Sequence, residues 1–362
     1  MKRIKNYSLL YNNTFGIDQK CDEFVIFETV DDAVDIAGEL MTGKDGTVPF
    51  LILGGGSNLL LTKDFHGNVI TTDKRFDVEM LDDTEHSESV LLRCWAGTTF
   101  DEVVEYAVEH GCFGMENLSL IPGECGASAV QNIGAYGVEA KDIITTIEAV
   151  ELSTGKTIVI KAADCGYGYR QSRFKKEWRD RFLITHVTYR LSRKFQPHLD
   201  YGNVRRVLDD RGIDERELTA RMLRDIIIDI RRAKLPDPSE LGNAGSFFMN
   251  PIVDKVVLDQ LKRKFPDVRF FEVNSLGEAV PSSSQDKRVG QKLYKIPAGW
   301  MIDRCGWKGR RAGRVGVYEK QALVLVNYGG ATGNEIVDLM HAIQDDVFSK
   351  FGIHIYPEVN IK

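Results

Sequence analysis

The chain has 362 residues, and at roughly 150 residues per domain that length predicts two or three domains. Hydrophobic residues make up 43% and charged ones 28%, an ordinary balance for a globular protein that buries its own core. The net charge of -6 excludes a general nucleic-acid-binding face, which needs a basic field, but leaves room for a local basic pocket around a small anion.

The six cysteines (Cys21, Cys94, Cys112, Cys125, Cys165 and Cys305) form no CxxC pair. Neither a zinc site nor a disulfide framework is expected, and the thiols read as reduced and mostly buried in a cytoplasmic protein. The N-terminal MKRIKNYSLLYNNTFG carries basic residues without an apolar run, so no signal peptide is expected. The longest uncharged stretch, 47–62, is broken by Pro49, three glycines and Asn58, and predicts no membrane span.

In chain order, Val34, Ala37, Leu40 and Met41 recur at helical spacing within 31–41. The apolar run 48–53 predicts a buried strand, followed by Gly54-Gly55-Gly56-Ser57-Asn58 and a second short strand, Leu59-Leu60-Leu61. Thr99-Phe-Asp-Glu102 has the pattern of a capping box and opens a helix closed by Gly111. Small residues, glycines and uncharged polar groups dominate 121–138, a composition that suits backbone lying close to a ligand. Residues 147–152 and 157–160 flank Ser153-Thr-Gly-Lys156 as a hairpin, and 182–191 is a further strand. Helices are predicted over 219–233, stopped by Leu235-Pro236, over 254–265, and over 336–351, stopped by Gly352; 322–326 reads as a strand. The alternation in 353–361 puts His354, Tyr356 and Glu358 on one face of a terminal strand. The mixture is α+β.

The glycine turn fails as a dinucleotide fingerprint: Leu59 stands where GxGxxG requires its third glycine, and a strand follows where a helix should. It also lacks GK[ST]. Two readings stay open, a plain glycine hairpin and a nest of backbone N–H groups for a pyrophosphate. For Ile121–Gly137 a tightly packed loop and a ligand-hugging one are equally open. Ser246, in Gly242-Asn-Ala-Gly-Ser-Phe-Phe, is by type a turn former; Phe247 and Phe248 would make it a poised proton donor if they excluded water around it. Taken singly, Glu358 reads as a solvated carboxylate, Arg170 as part of a surface hairpin, and Lys234 as a cation at a helix C-terminus. Lys308, Arg310, Arg311 and Arg314 read as an exposed basic loop.

Together, in order, the segments LILGGGSNLLL, GMENLSLIPGECGASAVQNIGAYG, GYGYRQSRFK, LDYGN, AKLPDP, GNAGSFFMNP, PAGWMID, QALVLVN and YPEV resemble the UDP-N-acetylenolpyruvoylglucosamine reductases, the variant with a tyrosine-bearing substrate loop. The resemblance implies an α+β, non-Rossmann FAD-binding fold of the vanillyl-alcohol-oxidase-like type. It implies two FAD-binding subdomains, 1–72 (joined by the tail 352–362) and 73–218, and a substrate-binding domain, 219–351. It further implies NADPH-dependent reduction of an enolpyruvyl sugar nucleotide through FAD, in peptidoglycan precursor synthesis, with Arg170, Ser246 and Glu358 as catalytic residues and Ser246 as the proton donor.

By the same resemblance FAD is contacted by Gly54, Gly55, Gly56, Ser57 and Asn58, and by Ile121, Pro122, Gly123, Gly126, Ala127, Ser128, Gln131, Asn132, Gly134, Ala135, Tyr136 and Gly137. Tyr201, Lys234 and Asn250 would contact the substrate. The implied partners are the sugar nucleotide and NADPH alone, with no nucleic acid, membrane or metal, in a monomer. One departure is Asn360, where the family often has arginine; Arg310 and Arg311 are candidates to compensate. Two other readings remain, an oxidase of the same fold that passes electrons to oxygen, and a sugar-nucleotide sensor without chemistry.

Overall fold

The computed structural model describes residues 1–42, 48–200, 203–274 and 292–362. The chain forms two compact units. The first comprises 1–8, 20–56 and 65–233, the second 9–19, 57–64 and 234–362. Among the described residues no helix is long and apolar enough to cross a membrane.

In the first unit, strands Lys2–Ser8, Lys20–Phe27, Phe65–Thr72 and Phe50–Leu53 form one sheet in that spatial order. The first pair is antiparallel and the others parallel. Helix Val30–Thr42 forms where expected and buries Ala33, Ile36 and Ala37 against Val25, Phe27 and Ile70; of the residues expected inside, Ala37 is buried, Val34 and Leu40 are half-buried and Met41 is exposed. A five-stranded antiparallel sheet runs Thr157–Lys161, Ile144–Glu151, Phe182–Ser192, Ser89–Trp95, Val78–Asp82. Helices Phe100–Glu109 and Cys125–Gln131 share its apolar core.

The helix Phe100–Glu109 ends in a left-handed Gly111, as expected, but its start differs from expectation. Thr99 makes no side-chain cap. The second residue, Asp101, instead accepts from the Leu120 N–H at 2.5 Å and from Arg224, at 2.6 and 3.2 Å. Arg224 lies on helix Ala220–Lys234 and is only 4% exposed, while the Asp101 side chain stays 23% exposed. That ion pair ties the helix to the first unit. Its apolar face, Leu223, Ile226 and Ile227, completes a cluster with Leu199, Val204 and Leu208. This is why all but the last residue of the helix belongs here and not with the later residues grouped as 219–351.

In the second unit, Gly242–Ser246, Val324–Asn327, Val315–Val317 and Arg311–Ala312 form an antiparallel sheet. Ile252–Asp254, Leu293–Lys295 and Phe271–Val273 form a smaller one. Helix Gly333–Phe351 carries a capping box from Thr332 and Glu335 and ends at the left-handed Gly352. The terminal segment alternates as expected, with Ile353 and Ile355 buried and His354 and Tyr356 exposed. Only Asn360–Ile361 becomes strand, parallel to Leu59–Leu60.

Candidate active site

The buried strand Phe50–Leu53 delivers the glycine turn. Gly56 sits at φ +67°, a conformation natural to glycine. A Cβ on Gly54 would stand 3.4 Å from the Ala127 methyl and from Glu124 Oε2, and one on Gly55 would stand 3.4 Å from the Gly123 Cα. The turn and the small-residue segment therefore lie against each other, and what separates them is bare backbone.

Half of that segment is a packed element rather than a loop. Cys125–Gln131 is a helix whose Gly126 lies against Ala96, and its N–H donates to the Ala96 carbonyl at 2.9 Å. Several side chains expected at the cofactor are satisfied inside the protein. Ser128 Oγ donates to the Cys125 carbonyl at 2.7 Å and bonds the Tyr189 hydroxyl at 2.8 Å. Asn132, fully buried in the left-handed region, donates to Glu139 and to the Gly168 carbonyl, both at 2.9 Å. Gln131 accepts from Lys175 at 3.0 Å. Ile121 packs on the core, and Pro122 is exposed. Gly134 and Ala135 pair with Val138 and Glu139 in a two-residue ladder closed by Tyr136 and Gly137, both at positive φ.

Arg170 projects onto this ladder. Its guanidinium donates to the Gly134 carbonyl at 2.6 Å and to the Asn132 carbonyl at 3.3 Å, and its own backbone holds φ +53°. Gly134 has no room for a side chain, since a Cβ would lie 2.9 Å from the Val138 oxygen and 3.1 Å from Arg170 Nη1. A second cation lies close by. Arg231, on helix Ala220–Lys234, is paired with the Tyr136 hydroxyl, and its buried Nε has no hydrogen-bond partner. Burial lowers its pKa, Tyr136 and Asp101 oppose that, and Arg170 adds to it.

In the second unit, Ser246 ends a strand, after a Gly245 at φ +68°. Its side chain is exposed, whereas Phe247 and Phe248 are 0% and 1% exposed. The rings pack on each other and on Phe15, so they form the floor of the strand and do not shield the hydroxyl. The terminal segment lies along the same stretch. Met249 N–H donates to the Tyr356 carbonyl at 2.9 Å and Glu358 N–H to the Phe247 carbonyl at 2.8 Å. Asn58 Nδ2 donates to the Glu358 carbonyl at 3.3 Å, and the Asn58 carbonyl accepts from Asn360 N and Nδ2, both at 3.1 Å. Ser246, Glu358 and the Ser57–Asn58 end of the glycine turn are thus brought together in one unit; Arg170 and Gly54–Gly56 belong to the other.

Asn250 Oδ1 accepts from Ala298 N–H at 2.9 Å, capping helix Ala298–Arg304. Lys234 is exposed at the end of its helix. Tyr201 lies outside the described residues. Arg310 and Arg311 stack on Trp307 and Tyr328, each 4.2 Å from the ring centre, and Arg314 pairs with Glu335.

Residues 237–362 match the family model described as UDP-N-acetylenolpyruvoylglucosamine reductase, C-terminal domain, and residues 24–161 match an FAD binding domain. The UDP-N-acetylenolpyruvoylglucosamine reductase of Bacteroides fragilis strain YCH46 is 45% identical over 98% of this chain and 99% of its own. That of Burkholderia ambifaria strain AMMD is 44% identical over 98% and 95%. The chain belongs to the UDP-N-acetylenolpyruvoylglucosamine reductase family. The crystal structure of the Thermus caldophilus reductase shares the fold, with a TM-score of 0.64 at 21% identity, covering 99% of this chain and 98% of that one.

Membership makes the protein an FAD-dependent oxidoreductase, and the residues present fit such a cofactor. Gly54, Gly55 and Gly123 leave backbone uncovered where the two segments meet. Beneath them, Glu124 Oε1 and Thr72 Oγ1 are buried with no hydrogen-bond partner in the protein. Sequence reasoning missed Glu124 and Arg231. The signal for Arg231 was its place in the apolar stripe of its helix, four residues after Ile227 and eight after Leu223. Glu124 is the sole charged residue within 121–138, a signal visible but not used.

Proposed function

We propose that this enzyme reduces the enolpyruvyl ether of UDP-N-acetylglucosamine to UDP-N-acetylmuramate, with NADPH as reductant, in the supply of peptidoglycan precursors. The observation that carries the reading is the hydrogen bond that seats Glu358 beside Phe247, one residue from Ser246, in a member of this family. FAD, when bound, takes reducing equivalents from NADPH and passes them as a hydride to the terminal alkene carbon.

The remaining work falls to side chains. Charge that develops toward the substrate carboxylate is met by Arg170 and by Glu358 in a protonated or hydrogen-bonded form. Ser246 Oγ delivers a proton to the neighbouring carbon; a serine hydroxyl is a weak acid, so this step draws on a relay behind it. Arg231 adds a second positive charge near Arg170 for an anionic group of the substrate. Lys234, Tyr201 and Asn250 hold the diphosphate sugar. The turn Gly54–Asn58 and the backbone of Ile121–Gly137 hold FAD. The enzyme works as a cytoplasmic monomer.

An anaerobic titration tests this. NADPH should bleach the flavin absorbance, and the enolpyruvyl sugar nucleotide should restore it. A flavin that ignores NADPH but reduces in the presence of a sugar or hydroxy acid would identify an oxidase instead.

A further inference from the structure

Glu124 is an unusual residue to find where two glycine-rich segments meet. It is 5% exposed, and its Oε1 has no hydrogen-bond partner. The backbone around it is bare: Cβ positions built on Gly54 and Gly55 lie 3.4 and 3.6 Å from its two carboxyl oxygens. From strand Phe65–Thr72 the buried Thr72 hydroxyl faces the carboxyl and, like Lys74, favours its ionised form, without a hydrogen bond of normal geometry. The charged group facing it is Lys74, 3.7 Å away and 59% exposed at its side chain, too far for a hydrogen bond. A carboxylate so placed is poorly compensated, and the favourable response is to keep the proton.

We propose that the first unit takes up FAD with Glu124 protonated, so that cofactor capture is coupled to one proton at this carboxyl. The inference rests on the reading that the glycine turn holds FAD. The FAD diphosphate is anionic, and an ionised carboxyl directly under the turn opposes it, while a neutral one does not and can also donate a hydrogen bond. Glu124 is a positioning residue in this account, acting on the cofactor through the charge of the turn. Burial pushes its pKa up to about 7, with Lys74 pulling the other way, so the switch falls within the physiological range. By linkage, the bound dinucleotide raises that pKa further, and holoenzyme formation at pH 8 consumes a proton.

The test is the pH dependence of FAD retention. Holoenzyme is diluted at fixed ionic strength between pH 6 and pH 9, and release is followed by the rise in flavin fluorescence. In the wild type the dissociation constant should rise on the order of 10- to 100-fold across that range. Glu124→Gln, a neutral isostere, should hold FAD as the wild type does at pH 6 and lose the dependence. Lys74→Met should move the midpoint upward, because the charge that favours ionisation is gone. A Glu124→Gln profile parallel to that of the wild type overturns the proposal, as does a pH-independent wild type. Gly55→Ala separates this from the underlying reading. A Cβ there meets only ordinary van der Waals contact in the protein, so the fold accepts it. Unchanged FAD affinity in that variant would sink the assignment of the turn itself.

Discussion

The backbone N–H of Glu358 donates to the carbonyl of Phe247, 2.8 Å away, and so fixes the main chain of the tail glutamate next to the strand that ends in Ser246. Two residues more than a hundred positions apart are set by main-chain bonding, without reliance on either side chain. Substitutions at both can therefore be read as changes in chemistry and not in fold.

Ser246→Ala and Glu358→Gln should each leave flavin reduction by NADPH within about twofold while slowing reoxidation by the enolpyruvyl substrate roughly 10²–10⁴-fold, the loss typical of a proton-transfer group. Stopped-flow absorbance of the two half-reactions separates them. Equal slowing of both halves would point to lost cofactor and remove Ser246 from the chemistry.

Asp101, half-buried itself, neutralises the buried Arg224 and also accepts the Leu120 N–H. Removing one partner of a buried ion pair strands the other charge, so Asp101→Ala should cost about 3–5 kcal/mol in urea unfolding. The double variant Asp101→Ala with Arg224→Met should recover much of that loss. A single-variant loss below about 1 kcal/mol would show that the pair is more hydrated than its geometry implies.

Glu124 makes a stability prediction separate from cofactor binding. Its pKa is raised on folding from 4.5 to about 7 by burial, so the folded state binds the proton more tightly than the unfolded chain. Stability from this group is full below pH 4.5, declines as pH rises and is gone above about pH 7. The difference amounts to about 3 kcal/mol at most. Urea melts of apoprotein at pH 5 and pH 8 should show a larger drop in the wild type than in Glu124→Gln. Equal drops would mean that Glu124 is ionised in the fold.

Arg231→Met should raise the KM for the sugar nucleotide at least tenfold and leave FAD affinity unchanged. Loss of a bond made equally in ground and transition state appears in KM, not in kcat. A fall in kcat at constant KM would place Arg231 with the reacting atoms. A stability loss without any kinetic change would make it a purely structural partner of Tyr136.

Periodicity in the sequence located the regular elements well. Helices at 31–41, 219–233, 254–265 and 336–351, and the hairpin around Gly155, all form close to where apolar spacing and turn residues put them. What the sequence hid were elements whose signal is small size. Cys125–Gln131 is a helix, yet Gly126, Ala127 and Ser128 carry no amphipathic stripe; they are small because Ala96 and Tyr189 lie against them. The capping box of Thr99 and Glu102 does not form, and the acidic residue of that first turn with a structural use is Asp101, held by a helix more than a hundred residues away. Ser246 and Glu358 are proposed through family resemblance alone, and the hydroxyl's exposure contradicts the water exclusion expected from the adjoining phenylalanines. Asn360, flagged as a departure, has a plain structural use in holding Asn58.

The pairing of Asn360–Ile361 with Leu59–Leu60 also has a bearing on synthesis of the protein. Three leucines, Leu59 to Leu61, are almost completely shielded in the finished fold. Their partner strand emerges from the ribosome some 300 residues later, which at about 5–20 residues per second is a wait of roughly 15–60 s. For that interval an apolar edge stands open beside the glycine turn. The nascent chain should thus be a client for holding factors early, and its second unit should gain its native shape only as the last residues arrive.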